Sequence, residues 1–169
     1  MRRPKLKPTF RKSETDVRTI LLDAGPLAML ITGATGPDAV AQNRRLSDAG
    51  FEQDDYARIS TLLAGRTPAT TPHVIAEAAN LLNKGGDQKR RQALGAARVV
   101  IVKALREVAV SSAVAANHSA FLATGLADAG LLEAATEDSK SLIITTDQLL
   151  RSTAGAAGIE SWGLAELRQ

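Results

Sequence analysis

At 169 residues, 44% of them hydrophobic, the chain is sized for one domain with a core of its own. It contains no cysteine, which excludes a disulfide framework and a thiolate metal site and fits a reducing cytosol. No apolar run approaches the roughly 18 residues of a membrane span, and the net charge of +3 is too unevenly placed to mark the whole chain as a nucleic-acid binder.

The imbalance lies at the start. Residues 1–18, MRRPKLKPTFRKSETDVR, hold seven basic and two acidic side chains, a net of +5; taken from the +3 of the whole chain, this leaves −2 for residues 19–169. The stretch has two prolines, few large apolar residues and no apolar h-region, so it is expected to be a disordered basic arm rather than a secretory signal. Such an arm is either a solvated terminus or a phosphate-attracting one.

Thr19–Leu22 then reads as a short buried strand that ends on Asp23 and is broken by Gly25-Pro26. A helical turn is expected over Leu27–Ile31 and a loop over TGATGPD (32–38). DDYARISTLLA (54–64) has helical spacing and acids in its first turn, where the helix dipole favours them. Thr71-Pro72 opens another helix, with Thr as N-cap and Pro at the first helical position, running through VIAEAANLLN toward Gly85-Gly86. A long helical pattern covers 87–109, with Lys89, Arg90 and Arg91 early in it as a solvated face or a binding patch. Shorter helices follow over about 113–123, ended by Gly125, and over 127–138. SLIITTD (141–147) repeats the opening design of apolar strand, Asp and helix, and a short strand is expected at Ile159–Trp162. Helices alternating with short apolar strands imply a parallel sheet covered on both faces, within a single domain from 19 to 169.

Four acids stand apart. Asp23 and Asp147 each follow a predicted strand, where ligands of open α/β sheets bind, yet Asp is also a favoured helix N-cap. Glu77 lies too deep in its helix for a capping box and has no cation three or four residues away. It borders the stripe of Val74, Ala78 and Leu81, so it either faces solvent at that margin or finds a partner such as a metal ion. Asp128, in GLADAGLLEAA, stands near a helix start and suits a cap or a ligand role equally. Carboxylates without cysteine would suit a hard ion such as Mg²⁺ or Mn²⁺. His73 and His118 lack metal-ligand spacing and read as surface or supporting residues.

In this order and on these elements, ILLDAGPL, TTPHVIAEAANLL, GLADAGLLEAA and LIITTDQLL resemble the PIN-domain family of metal-dependent ribonucleases, which includes VapC-type toxins. The resemblance covers about residues 19–165. It implies an α/β fold of three layers, with a short central parallel sheet between helices. It also implies that Asp23, Glu77, Asp128 and Asp147 are the catalytic cluster holding Mg²⁺ or Mn²⁺, with Thr145 supporting them. The implied activity is endonucleolytic hydrolysis of single-stranded RNA in the cytoplasm, by a homodimer with no membrane association, and with an antitoxin partner if the protein is a toxin of the toxin–antitoxin type. The alternative is a non-catalytic PIN fold serving RNA binding or protein interaction. The chain departs from the family at Ala24, where Thr or Ser is common, in its long segment between Asp23 and Glu77, and in the arm before the first strand.

Two other readings fail on their residues. ITGATGPDA (31–39) resembles the glycine motif of short-chain dehydrogenases, but Pro37-Asp38 follows where a helix should open, and the only tyrosine, Tyr56, has Ser60 rather than Lys four residues on. A phosphotransfer site of the haloacid-dehalogenase kind needs Asp-x-Asp after the first strand, and position 25 is Gly.

Overall fold

The computed structural model describes residues 19–36, 38–82 and 88–169. The basic arm expected over 1–18 lies outside the described residues. Five strands form one all-parallel sheet: β1 (Thr19–Leu22), β2 (Ala69–Thr70), β3 (Arg106–Glu107), β4 (Ser141–Ile144) and β5 (Glu160–Trp162), in the order β3-β2-β1-β4-β5. Ten helices accompany it among the described residues: α1 (Ala24–Gly33), α2 (Arg44–Asp48), α3 (Asp55–Leu63), α4 (Pro72–Leu82), α5 (Gln88–Ala104), α6 (Ser112–Asn117), α7 (Phe121–Thr124), α8 (Leu126–Thr136), α9 (Gln148–Ala156) and α10 (Leu164–Leu167). Sheet and helices make an α/β arrangement consistent with three layers. No helix among the described residues is long and apolar enough to cross a membrane.

The core sits on β1 and β4, the two strands that read as unbroken apolar runs. Ile20, Leu21 and Leu22 pair in register with Leu142, Ile143 and Ile144, and all six are essentially solvent-free. A parallel strand buried on both faces needs apolar side chains on both, which is why neither strand alternates. Thr70 secures β2 to β1 by donating its hydroxyl to the Leu22 carbonyl at 2.8 Å.

Several elements differ from expectation. The turn expected at 27–31 is the middle of α1, which begins directly after Asp23 and runs to Gly33. Pro26 is compatible with that start because a first-turn N–H has no helical partner to lose. The pattern over 87–109 ends as a helix at Ala104, and Arg106–Glu107 form the exposed edge strand β3, whose charges discourage pairing with another chain. The helix expected over 113–123 is divided into α6 and α7. Gly125 does end α7, at φ +88°, a conformation open to glycine, and α8 starts at once. Thr71 receives the Val74 N–H at 3.4 Å, in keeping with an N-cap for α4.

One buried ion cluster ties the last helix to the middle of the chain. The Asp55 carboxylate is fully buried and is gripped by Arg168, Nε to Oδ1 at 3.0 Å and Nη2 to Oδ2 at 2.6 Å, with Arg58 a further 3.3 Å from Oδ1. Arg168 also reaches Glu52 and the Gly50 carbonyl. Burial alone would raise the Asp55 pKa, but the Arg168 hydrogen bonds, the Glu52 N–H and the two guanidinium charges outweigh it and hold the group below its usual range.

Candidate active site

β1 has β2 on one side and β4 on the other, so the chain order reverses across it, and the carboxyl ends of β1 and β4 border a topological switch point. Leu22 pairs with Ile144, and the next residues, Asp23 and Thr145, stand side by side, with the Asp23 N–H donating to the Ile144 carbonyl at 3.1 Å. The two acids expected at strand ends therefore meet at one edge.

Capping and site roles coincide at both positions. Asp23 is the N-cap of α1 and accepts the Ala24 N–H at 2.6 Å through Oδ1, while its Oδ2 accepts the Thr145 hydroxyl at 2.6 Å. Asp147 caps α9 by accepting the N–H groups of Leu149 and Leu150 on Oδ1, at 2.7 and 3.0 Å. Thr145 joins the two: its hydroxyl donates to Asp23 and accepts the Asp147 N–H at 2.9 Å. A carboxylate has about four lone-pair directions, so these bonds leave acceptor capacity on each acid.

Glu77 comes from α4 and Asp128 from the first turn of α8, two helices that pack together. Their contact is set by a small residue: a methyl group on Gly130 would lie 3.3 Å from Nδ1 of His73. His73 also shares a hydrogen bond with Ser112 through Nε2, at 2.9 Å, and His118 accepts the Ala120 N–H. Neither histidine is among the residues lining the cavity that holds the acids.

All four predicted acids line one open cavity of about 650 Å³. Among its described lining residues there is no Lys, Arg or His. Asp23 is buried and Asp128 half-buried, whereas Glu77 and Asp147 are exposed as residues and stand at its mouth. Burial and the neighbouring charges raise the proton affinity of Asp23, Glu77 and Asp128. Burial lifts Asp23 above the usual carboxylate range, against the Thr145 and Ala24 hydrogen bonds, and the Asp147 charge adds to it. Glu77 is raised by loss of water on its cavity side, then by Asp23 and Asp147. Asp128 is pushed up to about 7, first by burial and then by Asp23, Asp147 and Glu77. Among the described residues, however, no three Asp, Glu or His side chains are drawn together as a ready-made set of metal ligands.

Sequence reasoning missed Thr146, Thr124, Leu126 and Ala49, which line the same cavity. Thr146 had a signal: it lies between Thr145 and Asp147 just past the carboxyl end of an apolar strand, where ligands of open α/β sheets bind. Ala49 had none, since it arrives through the loop before α3, whose Phe51 ring packs beside Gly25. Compared with models of known protein families and with curated proteins, the sequence matches none.

Proposed function

We propose that the chain is a Mg²⁺- or Mn²⁺-dependent endoribonuclease that hydrolyses single-stranded RNA through Asp23, Glu77, Asp128 and Asp147. The observation that carries this reading is that four carboxylates from four separate elements line one cavity, with no basic side chain among its described lining residues. Charge of one sign held at close range destabilises the fold unless protons or a cation offset it.

The donor set suits a hard divalent ion, since it consists of carboxylate oxygens with the hydroxyls of Thr146 and Thr124 nearby and no sulfur. These four acids would hold the ion or ions, which when bound supply an activated water and neutralise charge growing on the phosphate. The chain's own residues prepare that state. Thr145 fixes the Asp23 carboxylate and the Asp147 backbone with a single hydroxyl. The Ala24 and Leu149 N–H groups orient the two carboxylates through their caps. Asp128, pushed up to about 7 by burial and the neighbouring acids, would give up its proton on holding such an ion. The arm at 1–18, net +5, adds long-range attraction for phosphate. A homodimer, an antitoxin partner and a cytoplasmic setting follow from the family resemblance and belong to the same proposal.

The test is RNA cleavage by wild type and Asp23→Asn, with and without EDTA. Cleavage by wild type alone, abolished by EDTA, is the expected result; equal activity in both proteins refutes the reading. The second reading, a non-catalytic module for RNA or a protein, is favoured by the lack of a ready-made ligand set among the described residues. Calorimetric titration with Mn²⁺ separates the two: heat of binding that disappears in Asp23→Asn supports the metal site, and none in wild type supports the module.

A further inference from the structure

Hydrogen-bonding capacity in the acidic cavity is one-sided. Once ionised, as metal binding requires, the four carboxylates are acceptors only, and so are the non-bridging oxygens of a phosphodiester. Apart from the acids, the polar side chains among the described lining residues are those of Thr124 and Thr146. The Thr124 hydroxyl donates to the Ala120 carbonyl at 3.1 Å, so its proton is committed. The Thr146 hydroxyl makes no hydrogen bond among the described residues, and the residue is only half-buried at the cavity wall. We propose that Thr146 is the side chain that holds the RNA backbone in this cavity, its Oγ1–H donating to a non-bridging oxygen of the bound phosphodiester.

The position of the hydroxyl is fixed from both sides. Before it, the Thr145 N–H donates to the Trp162 carbonyl at 3.0 Å. After it, the Asp147 N–H donates to the buried Thr145 hydroxyl at 2.9 Å. A donor on such a support keeps its place without a partner of its own, so a ligand that binds it meets little cost of ordering.

Gly25 keeps the approach to that hydroxyl open. It is the second residue of α1 and lines the same cavity. A methyl group there would lie 3.4 Å from the Thr146 Oγ1 and 3.5 Å from the Phe51 ring, which is ordinary van der Waals contact. Packing therefore does not demand glycine, and neither does the backbone, since Gly25 is not among the positive-φ glycines. Alanine is ordinarily the better helix residue. What the missing methyl leaves clear is the space beside the Thr146 hydroxyl.

The choice of a phosphodiester ligand rests on the nuclease reading, but one arm of the test does not. Wild type, Thr146→Val, Thr146→Ser and Gly25→Ala are compared as full chains in Mn²⁺ for cleavage of a labelled oligouridylate. Mn²⁺ affinity is measured by calorimetry and folding by thermal melts. Thr146→Val should lower kcat/KM by about 10- to 150-fold, the loss of one hydrogen bond to a charged group, with Mn²⁺ affinity unchanged. Thr146→Ser should restore most of the activity. Gly25→Ala should lower kcat/KM as well, while melting no lower than wild type. If Thr146→Val is poorly folded, Gly25→Ala carries the comparison. Equal kcat/KM in wild type and Thr146→Val overturns the proposal and leaves the nuclease reading intact. A fall in Mn²⁺ affinity on Thr146→Val also overturns it, since the hydroxyl is then a metal ligand. If wild type does not cleave, the nuclease reading fails, and anisotropy of the uncut oligomer in Mn²⁺ decides the contact by itself. Weaker binding by Thr146→Val then supports it; equal binding, or none by wild type, overturns it.

Discussion

The Thr145 hydroxyl is fully buried and engaged on both sides, donating to one candidate ligand and accepting from the backbone of another. Removing it leaves the Asp23 Oδ2 without its donor and loosens the Asp147 backbone, so both acids lose orientation together. Thr145→Ala is expected to weaken Mn²⁺ binding by about 10- to 100-fold, the range for residues that orient metal ligands, whereas Thr145→Ser keeps the hydroxyl and should stay close to wild type. Calorimetry on the three proteins checks this; equal affinities would remove Thr145 from the site. At this scale much was legible in the sequence. An acid after an apolar run could be a cap or a ligand, and both acids turn out to cap helices while lining the cavity. The cap uses some of the lone pairs of a carboxylate, and cavity lining uses its position, so neither role excludes the other. Ala49 was not legible because its place depends on a loop packed by Phe51 and the distant Leu164, and no local pattern encodes that.

Among the elements, α1 shows how space rather than propensity decides a residue. Gly33 has no left-handed backbone to justify it, and alanine is ordinarily the better helix residue by up to about 1 kcal/mol. Yet a methyl group there would fall 2.3 Å from a Tyr56 ring carbon and 2.9 Å from the Tyr56 Cβ, so the overlap cannot be relieved by turning the ring alone. Gly33→Ala is therefore expected to destabilise by about 1–3 kcal/mol, the usual cost of overpacking, as a lower urea midpoint with an unchanged slope. A midpoint at or above wild type would mean that α1 and α3 separate freely. The strands divide along the same line. β1 and β4 were readable because their apolar runs bury both faces. β2 and β3 have two residues each, too few to show a period, and exist as strands only because β1 offers an edge to β2 and β2 in turn offers one to β3. The pattern at 87–109 likewise carried no mark of where helix gives way to strand, since Leu105 and Val108 pack as well after the change as they would before it.

For the whole molecule, the acidic cavity couples stability to pH. Asp128 at about 7, with Asp23 and Glu77 raised in the same direction, binds protons in the folded state that the unfolded chain releases near pH 4. The folded state holds more protons across that window, so its stability is greatest below it and falls as pH rises toward 7. In EDTA the melting temperature should decline from about pH 5 to pH 8, with most of the decline removed in Asp128→Asn. Saturating Mn²⁺ should reverse the trend, because the ionised acids then bind the cation. A flat profile in EDTA would contradict the crowding of charge in the cavity.

The place of β1 in the sheet also governs when that cavity comes into being. As the chain is synthesised, Asp23 emerges early, while Thr145, which orients it, lies 122 residues further on. At ordinary rates of translation that interval is about 6–25 s. Throughout it β1 has no β4 beside it, and the acid at its end has neither its hydroxyl donor nor Asp147 for a neighbour. Arg168, 113 residues after Asp55, then supplies the last grip on the loop that contributes Ala49 to the cavity wall. A ribosome-bound chain shorter than 147 residues therefore lacks at least Asp147, and the acidic cavity is complete only when the chain has folded back onto its first strand.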